Sequence, residues 1–425
     1  MFVLLLLCSA SVIGQDEKLQ PGDVERARSM LSDVNDAIKN HYYDPKYQGL
    51  DLQARYKEAL DKVNAAKNFN QMLGIIAWFM DGLNDSHAFF VPPPHAFRID
   101  YGWRAQMIGD RCFITQVRPD SDAAKQQLKE GDQVLAINGL APTRDSLYKI
   151  EYVFGVLRPQ PGLRLQIVTP EGVQKSLDLK AMIKPTRRQI TITNFWDEVR
   201  EHETDSKLYT RRSAEVNDIL IWKLANFMMP EKGADNMVDD ARNSKAIILD
   251  LRGNPGGSAE AVERLVAEFF DHDVKVADFV GRKKMDLRPS VKGRNRYAGK
   301  LIVLIDSQSA SASEIFARVM QLEHRATIIG DRSEGAVMVA QGFPMQAGLD
   351  HTIFYGASIT VAQMLMKDGT SLEKVGVQPD ELLLPTASDL AGHRDPVLAH
   401  AVELAGGKLS PEEAGKLFPY EWPAF

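Results

Sequence analysis

The sequence predicts a multidomain α/β protein with a helical N-terminal region, a β-rich domain, and a larger α/β domain whose sheet is largely parallel. Three observations predict this order. Apolar residues recur at helical spacing before residue 85, and short β-like runs separated by turn residues follow from about residue 100. From residue 186, strand-like runs alternate with helical patterns, which is typical of a parallel sheet. A chain of 425 residues is long enough for two or three such domains.

The N-terminal region is predicted to be helical because its apolar residues repeat every three or four positions. The expected helices cover Val24–His41, Leu52–Val63 and Phe69–Leu83. Three consecutive prolines at 92–94 then end the helical pattern.

The β-rich domain is predicted from short runs of alternating polarity with turn residues between them. Strands are expected at Cys112–Val117, Gln133–Ile137 and Leu163–Val168, with a helix at Ala123–Lys129. Asn138-Gly139 is a strong turn signal directly after the second of these strands.

The α/β domain is predicted from buried strand-like runs that alternate with amphipathic stretches. The expected strands are Ile219–Trp222, Ala246–Leu251, Leu301–Ile305, Thr327–Ile329 and Ser358–Val361. The expected helices are Ala259–Phe270 and Ile315–Leu322, and a further helix at Pro396–Leu404 precedes the tail.

The first fourteen residues are predicted to be a signal peptide. Phe2 to Ile13 is an apolar run of secretory length, too short to span a bilayer, and Gly14 suits cleavage, although no Lys or Arg precedes the run. A buried N-terminal strand is the alternative. We therefore expect a periplasmic or secreted protein that has no membrane span once the leader is removed.

The net charge and the number of cysteines limit which partners and cofactors we expect. The net charge of −6 gives no reason to expect nucleic acid or an anionic membrane surface as a partner. Of the two cysteines, Cys8 lies in the predicted leader, so Cys112 has no partner for an intrachain disulfide. We expect no metal and no organic cofactor.

A hydroxyl-rich turn, Ser309–Glu314, lies between the buried run 301–305 and an amphipathic stretch. The strand would position a nucleophile, and the free N–H groups of the helix would stabilise nearby negative charge. A serine before a helix is also a common N-cap. These residues alone do not choose among Ser309, Ser311 and Ser313.

Three motifs make the chain resemble the S41 peptidases, the C-terminal-processing and tricorn-like serine proteases. They are the glycine turn Asp250–Gly257, the serine turn Ser309–Glu314 and the late Gly376–Asp380 segment. Leu128–Gly139 also resembles the closing half of a PDZ domain. The resemblance covers about 22–385 and implies a ClpP/crotonase-like catalytic sheet. The domains expected are a leader at 1–14, a helical domain at 15–95, a PDZ-like domain at 96–185, a catalytic domain at 186–387, and a C-terminal helix and tail at 388–425.

The resemblance implies that Ser311 is the nucleophile, with Ser313 as the expected cap of the following helix. Many S41 peptidases use a lysine base, but Ala336 occupies that position here, and no lysine lies between Lys300 and Lys367. Alanine cannot carry a proton, so a Ser–Lys dyad at this position is excluded.

The tricorn-like branch uses histidine instead, and its Ser-His pair matches Ser86-His87. Imidazole titrates near neutral pH and suits a general base. The resemblance assigns His87 as the base, with Glu373 and Ser86 orienting and tuning it. Each residue also has an ordinary structural interpretation. His87 would then be a core histidine, Glu373 a solvated charge beside Lys374, and Ser86 the cap of a turn.

Two glycine-containing segments are expected to contact substrate. The N–H of Ala312 and an N–H from Gly256 or Gly257 would form the oxyanion hole. In the PDZ-like domain, Gly102 occupies the loop that would bind a terminal carboxylate, and the bulky Trp103 beside it is expected to alter or block that groove.

The sequence thus predicts an exported serine endopeptidase that cuts unfolded or flexible polypeptides through a Ser311 acyl-enzyme. The alternative is a catalytically silent PDZ and S41-fold protein that binds peptides, and a retinoid-binding role is a more remote third. The expected partner is a peptide or unfolded protein. Whether the chain forms a homo-oligomer is left open.

Overall fold

The computed structural model describes residues 19–185, 212–229, 233–283, 290–294, 297–348, 352–423 and 425. The predicted leader and the domain boundaries predicted at 15 and 186 lie outside these residues. Across the described part of the chain, every helix is too short or too polar to cross a membrane.

The N-terminal region folds as predicted into helices α1 (Asp23–His41), α2 (Leu52–Ala65) and α3 (Phe69–Asp81). The side chains of Asp51 and Asn68 accept backbone N–H groups at the starts of α2 and α3, which satisfies donors that a helix leaves unpaired. Helix α3 is buried over most of its surface and anchors the N-terminal core.

The β-rich domain is built on an antiparallel sheet in the order β3-β4-β5-β6-β7. The helix predicted at Ala123–Lys129 is wrong in length: it ends at Lys125, because Gln127 takes a positive φ of 61° and leaves the helical conformation. The elements are β2 (Phe97–Asp100), β3 (Trp103–Ile108), β4 (Arg111–Val117), α4 (Asp122–Lys125), β5 (Gln133–Ile137), α5 (Leu147–Tyr152, continued by a π turn at Val153–Leu157), β6 (Gly162–Val168), β7 (Gln174–Lys180) and β8 (Met182–Pro185), which pairs with β2.

The α/β domain is centred on a six-stranded sheet, within the described residues, in the order β19 (Glu381–Leu382), β16 (Thr327–Gly330), β15 (Lys300–Ile305), β11 (Ala246–Asp250), β10 (Ile219–Lys223) and β9 (Arg212–Val216). All neighbouring strands are parallel except β9 and β10. Helices α6 to α8 pack on one face and α10 on the other, so the strands are apolar on both sides. These helices are α6 (Gly233–Ala241), α7 (Ala259–Ala267), α8 (Ala312–Leu322) and α10 (Pro396–Leu404).

A second sheet corrects one prediction. The run Ser358–Val361 is not in the parallel sheet but in the middle of a long antiparallel strand, whose fourteen residues pair with three other strands. A short apolar run does not by itself reveal its partners. The strands of this sheet are β1 (Phe89–Val91), β13 (Ala277–Gly281), β17 (Met338–Ala347) and β18 (Ile353–Met366). The remaining described elements are β12 (Val274–Lys275), β14 (Ser290–Val291), α9 (Ala387–Ala391) and α11 (Pro411–Ala414).

The two sheets bring the candidate site together. The glycine turn follows β11 and the serine turn follows β15, so both lie at the carboxyl edge of neighbouring parallel strands. His87 precedes β1, which pairs with β18, and Glu373 follows β18. Residues far apart in sequence therefore meet at one edge of the domain.

The β-rich domain contacts the loop that leads to the serine turn. Gln106 of β3 donates a hydrogen bond of 2.6 Å to Asp306, which directly follows β15. Arg144 forms an ion pair of 2.6 Å with Asp331, which follows β16. These contacts fix the β-rich domain beside the carboxyl edge of the parallel sheet.

Candidate active site

Ser311 stands at a sharp turn between β15 and α8. Its φ of 51° and ψ of −113° are unusual for a residue with a side chain. The backbone N–H of Ser311 is 3.0 Å from the Ala336 carbonyl and 3.0 Å from a Glu314 carboxylate oxygen. The turn is therefore held in a strained conformation by contacts on its backbone.

The two neighbouring serines are structural. Ser309 and Ser313 are fully buried, and their hydroxyls donate to the carbonyls of Leu251 and Asn254, each at 2.9 Å. The expectation that Ser313 caps α8 is wrong, because its hydroxyl bonds to the glycine turn and Ser311 is the N-cap residue. Of the three serines, Ser311 alone is partly exposed.

Glu314 supports this turn, a role that sequence reasoning missed. Its buried carboxylate accepts the Ser333 hydroxyl at 2.6 Å and the N–H groups of Gly335 and Ala336 at 2.8 and 2.9 Å. With the bond from Ser311, each oxygen has two donors. Burial raises the pKa of Glu314 to about 7. A glutamate three residues after an N-cap is a sequence signal for a capping box, and it was available here.

Ser86, His87 and Glu373 lie in one line of hydrogen bonds. The Ser86 hydroxyl donates to Glu373 Oε2 at 2.8 Å and lies 2.7 Å from His87 Nδ1. The Ser86 backbone N–H donates to Glu373 Oε1 at 2.9 Å. Since the hydroxyl proton is directed at the carboxylate, its oxygen is free to accept Nδ1–H, which leaves the imidazole lone pair on Nε2.

The turn that carries His87 is tied to β18 through Asp85. One carboxylate oxygen of Asp85 accepts the N–H groups of His87 and Ala88 at 2.8 and 3.1 Å and the Thr360 hydroxyl at 2.6 Å. The other accepts the Tyr42 hydroxyl at 3.0 Å. This buried carboxylate fixes the backbone from which the imidazole extends.

Burial lowers the pKa of His87 below its usual value, and Lys374 adds to the shift, although Asp85 and Glu373 oppose it. The ring is therefore neutral at neutral pH, which is the form that accepts a proton. Groups of three or more His, Cys, Asp or Glu side chains that could hold a metal ion are not found within the described residues.

A short loop connects the two halves of the site. The Ala336 carbonyl accepts Ser311 N–H at 3.0 Å, and the next residue, Val337, donates its N–H to Glu373 at 3.1 Å. The hydrogen bonds among the described residues include none between the His87 ring and the Ser311 hydroxyl. Ala336, where the resemblance led us to look for a lysine, is buried and contributes through its backbone N–H and carbonyl.

The glycine turn lies against Ser311. A Cβ added at Gly256 would be 2.8 Å from Ser311 Cβ and 2.9 Å from Ala312 N, so only glycine leaves this space open. The N–H of Gly256 donates to the Asn254 side chain at 2.9 Å and is not free for an oxyanion. The N–H groups of Gly257 and Ala312 have no acceptor in the hydrogen bonds that the described part of the chain forms.

The turn itself is held by a buried ion-pair network. Arg252 donates to both carboxylate oxygens of Asp250, at 2.9 and 2.8 Å, and to both of Asp395, at 2.9 and 2.7 Å. Although burial favours the neutral acid, Arg252 and Lys223 hold the pKa of Asp250 well below its usual range. This network fixes the start of the turn to the C-terminal region.

The loop at Gly102 is already occupied by the protein's own carboxylate. The N–H of Gly102 donates to Asp100 at 2.9 Å, and Asp100 also pairs with Arg118 at 2.9 Å. Trp103 is only 8% exposed and belongs mainly to the core of the β-rich domain, although it lines the cleft. Gly102 is therefore not free to bind a terminal carboxylate through this N–H.

A cleft of about 910 Å³ runs from the β-rich domain to the glycine turn. Its lining includes Trp103 and Arg104 of β3, Tyr148 of α5, and both Gly256 and Gly257. An extended polypeptide in this cleft would pass beside Ser311. A serine, a histidine and an acid placed at one edge of an α/β fold form the kind of arrangement that serine peptidases use.

Comparisons with known proteins show which families parts of the chain resemble. The model of peptidase family S41 matches residues 218–383, and the PDZ domain model matches residues 97–147. Residues 218–383 are thus similar to peptidase family S41 and residues 97–147 to a PDZ domain, which confirms the resemblance that the motifs indicated.

Relatives of known name agree with this assignment. The chain is 27% identical over 270 residues to a carboxyl-terminal-processing protease of Picosynechococcus sp., covering 62% of this chain and 59% of that protein. It is 23% identical over 339 residues to the carboxy-terminal processing protease CtpB of Bacillus subtilis, covering 76% and 64%. The chain thus spans less than two thirds of the length of these relatives.

Solved structures share the fold. Mature CPAF complexed with lactacystin is 17% identical, with a TM-score of 0.65 over 87% of this chain and 95% of that chain. The photosystem II D1 C-terminal processing protease is 17% identical, with a TM-score of 0.55 over 91% and 99%. At these identities the likeness shows the fold alone.

Proposed function

We propose that the chain is an exported serine endopeptidase that hydrolyses peptide bonds of unfolded or flexible polypeptides. The observation that carries the proposal is the line of hydrogen bonds from Glu373 through Ser86 to the His87 imidazole, connected by one short loop to a serine with a φ of 51°. An acid, an oriented base and an accessible serine are the parts that acyl transfer needs, and Ser311 is partly exposed.

In the proposed reaction, Ser311 Oγ attacks the carbonyl carbon of the scissile bond and His87 Nε2 takes its proton. The tetrahedral intermediate expels the amine, which receives that proton from His87, and an acyl-enzyme remains. Water then attacks the ester carbonyl, gives a proton to His87 and releases the carboxylic acid as Ser311 is regenerated. Substrate binding is expected to close the distance between imidazole and hydroxyl, since catalytic hydrogen bonds are commonly long in unliganded enzymes.

Glu373 and Ser86 are proposed as positioning residues. The carboxylate orients the Ser86 hydroxyl, and that oxygen holds Nδ1–H, so the base keeps one tautomer. Ala312 and Gly257 are proposed as the oxyanion donors, because neither N–H has an acceptor within the described residues, Ala312 follows Ser311, and Gly257 follows Gly256, which lies against Ser311.

The relatives' names say that they process carboxyl termini. For this chain we propose that an extended polypeptide lies along the cleft without a terminal carboxylate bound at Gly102, because that N–H already donates to Asp100. The PDZ domain then serves as a wall of the cleft and a docking surface for the polypeptide.

A catalytically silent peptide-binding protein is the second candidate. The observation that favours it is the lack of a hydrogen bond between the His87 ring and the Ser311 hydroxyl among the described residues. In that case the cleft would hold a polypeptide without cutting it.

A serine-directed fluorophosphonate probe separates the two candidates. We expect it to label the wild type but neither Ser311→Ala nor His87→Ala, and we expect unfolded casein to be cleaved by the wild type alone. Equal labelling of the wild type and Ser311→Ala, or peptide binding with no turnover of any unfolded substrate, would favour the silent protein.

Export is proposed on the apolar run from Phe2 to Ile13. Cell fractionation followed by N-terminal sequencing tests it. We expect an extracytoplasmic protein whose first residue follows Gly14, whereas a cytoplasmic protein that retains residues 1–14 would contradict export.

A further inference from the structure

Two glutamates from different domains face the cleft. Glu151 lies in helix α5 of the PDZ domain, and Glu334 lies in the loop beside the serine turn, where its N–H donates to the Ser309 carbonyl at 3.0 Å. Both line the cleft that contains the glycine turn. An occupant of the cleft near Ser311 would therefore meet both carboxylates.

Neither carboxylate accepts a hydrogen bond from any donor in the described part of the chain, and both side chains are accessible. Although Glu151 faces the open cleft, the surrounding walls remove much of its hydration and raise its pKa to about 7, while the charge of Arg104 opposes the shift. Burial, and next the charge of Glu151, raises the pKa of Glu334 to about 7. The charge of Glu151 thus acts on Glu334 within the same cleft, and a cation between them would relieve that repulsion.

Two cations of the protein act on these carboxylates through their charge, Arg104 on Glu151 and Lys374 on Glu334, but their direct contacts lie elsewhere. Arg104 bonds to Asp100 at 3.1 Å and its guanidinium lies 4.8 Å from the centre of the Trp422 ring. Lys374 lies 3.9 Å from Glu373 and 5.8 Å from the centre of the Tyr148 ring. Within the described residues neither forms an ion pair with Glu151 or Glu334.

Asn226 gives an independent indication of a ligand in the same cleft. Its side chain is only 6% exposed, and its oxygen accepts the Met228 N–H at 2.9 Å, but its amide nitrogen has no acceptor among the described residues. The next residue, Phe227, donates its N–H to the Gly256 carbonyl at 2.7 Å. A buried donor nearly always has a partner, so a bound peptide carbonyl would supply the missing acceptor beside the glycine turn.

The walls of the cleft suit a long aliphatic side chain. Tyr148, Tyr152, Phe90 and Phe154 line it together with the two glutamates. Lysine and arginine bury their methylene groups on such apolar surfaces while the charged end reaches a polar group.

We propose that the cleft binds a polypeptide through a lysine or arginine side chain, with its cationic group between Glu151 and Glu334 and a backbone carbonyl accepting from Asn226. This subsite would select the polypeptides that the proposed peptidase cleaves, and that part of the proposal rests on the proposed function. The binding of a cationic side chain in the cleft does not depend on cleavage.

Binding is tested on Ser311→Ala, in which turnover is removed. Fluorescein-labelled peptides that differ only by lysine, norleucine or Nε-acetyl-lysine are titrated by fluorescence anisotropy. We expect the lysine peptide to bind about tenfold tighter than the other two, the order of magnitude for one partly screened charge pair. Equal dissociation constants for the three peptides would overturn the proposal.

Variants assign the preference to the two carboxylates. In Ser311→Ala, adding Glu151→Gln and Glu334→Gln should bring the ratio of dissociation constants close to one, whereas the exposed Glu25→Gln should leave it unchanged. Glu334→Lys should favour a glutamate peptide instead. A lysine preference that survives both glutamine substitutions would refute the assignment of that preference to Glu151 and Glu334. If a variant fails to fold, the comparison of lysine with Nε-acetyl-lysine peptides on Ser311→Ala still decides whether the cleft prefers a cation.

The two proposals fail in different ways. If the wild type cleaves casein but Ser311→Ala binds lysine and norleucine peptides equally, the cationic subsite is wrong and the peptidase stands. If casein is not cleaved and Ser311→Ala still prefers lysine, the cationic subsite stands and the proposed catalysis is wrong.

Discussion

Gly256→Ala tests whether the space beside Ser311 must stay open. Its effect has to be distinguished from the general cost of placing an alanine at a positive φ. Gly256 has a φ of 105°, and the added Cβ would lie 2.8 Å from Ser311 Cβ and 2.9 Å from both the Ala310 carbonyl oxygen and Ala312 N. Real Cβ atoms essentially never approach backbone atoms this closely, so the serine turn or the glycine turn must move.

The magnitude follows from two contributions. An alanine at positive φ costs about 1–3 kcal/mol, and overpacking against the serine turn adds about 1–3 kcal/mol. Gly369→Ala is the matched control, because Gly369 has a φ of 79° with nothing within 4 Å of the added Cβ. Gly256→Ala should therefore lower the free energy of unfolding by about 1–3 kcal/mol more than Gly369→Ala.

Activity should separate the two variants further. A shift in the serine turn displaces Ser311 and the Ala312 N–H together, and loss of an oxyanion donor costs about 10²–10³ in rate. We expect kcat/KM to fall by at least about 10² in Gly256→Ala and to stay near the wild-type value in Gly369→Ala. Urea unfolding and initial rates on a fluorogenic peptide measure both effects. Equal stability and equal kcat/KM in the two variants would refute the reasoning.

Three further predictions concern the base and the glycine turn. Ser86→Ala should lower kcat by about 10² with KM little changed, measured by steady-state kinetics, because the hydroxyl that orients His87 is lost; an unchanged kcat would contradict this. The acid limb of kcat/KM against pH should have its midpoint below 6.5, because burial lowers the pKa of His87 and its neutral form is the active one; a midpoint above 6.5 would contradict the assignment. Arg252→Met should destabilise the fold by about 3–5 kcal/mol in urea unfolding, because the buried Asp250 loses its main partner; a loss below about 1 kcal/mol would show that the network is dispensable.

Much of the fold followed from local patterns. The helices α1 to α3 and the buried strands β10, β11 and β15 lie where the apolar pattern predicted them. A helix buried on one face has apolar residues at helical spacing, and a strand buried on both faces is a continuous apolar run. The error at Ser358–Val361 has the opposite cause: strand pairing depends on distant partners, and a short apolar run is the same in a parallel and an antiparallel sheet.

Within the candidate site, the motifs named residues but not their contacts. The structure brings Ser86, His87 and Glu373 into hydrogen-bond contact, although 287 positions separate Ser86 from Glu373. Nothing in the sequence pattern showed that the Gly256 N–H is taken by Asn254 or that Glu314 also accepts hydrogen bonds from Ser333, Gly335 and Ala336. Those facts depend on which backbone groups face one another after the chain has packed.

The sequence by itself determined the resemblance to peptidase family S41, the order of the helical, β-rich and α/β regions, and the absence of a lysine at position 336. Each of these is a property of residue identity and local spacing. Only the tertiary structure decided that Ser309 and Ser313 are buried, that Gly102 already bonds to a carboxylate, and that Glu151 and Glu334 share one cleft. The physical reason is that burial, hydrogen-bond partners and charge proximity arise from the meeting of distant segments, and a linear chain does not specify them until it has folded.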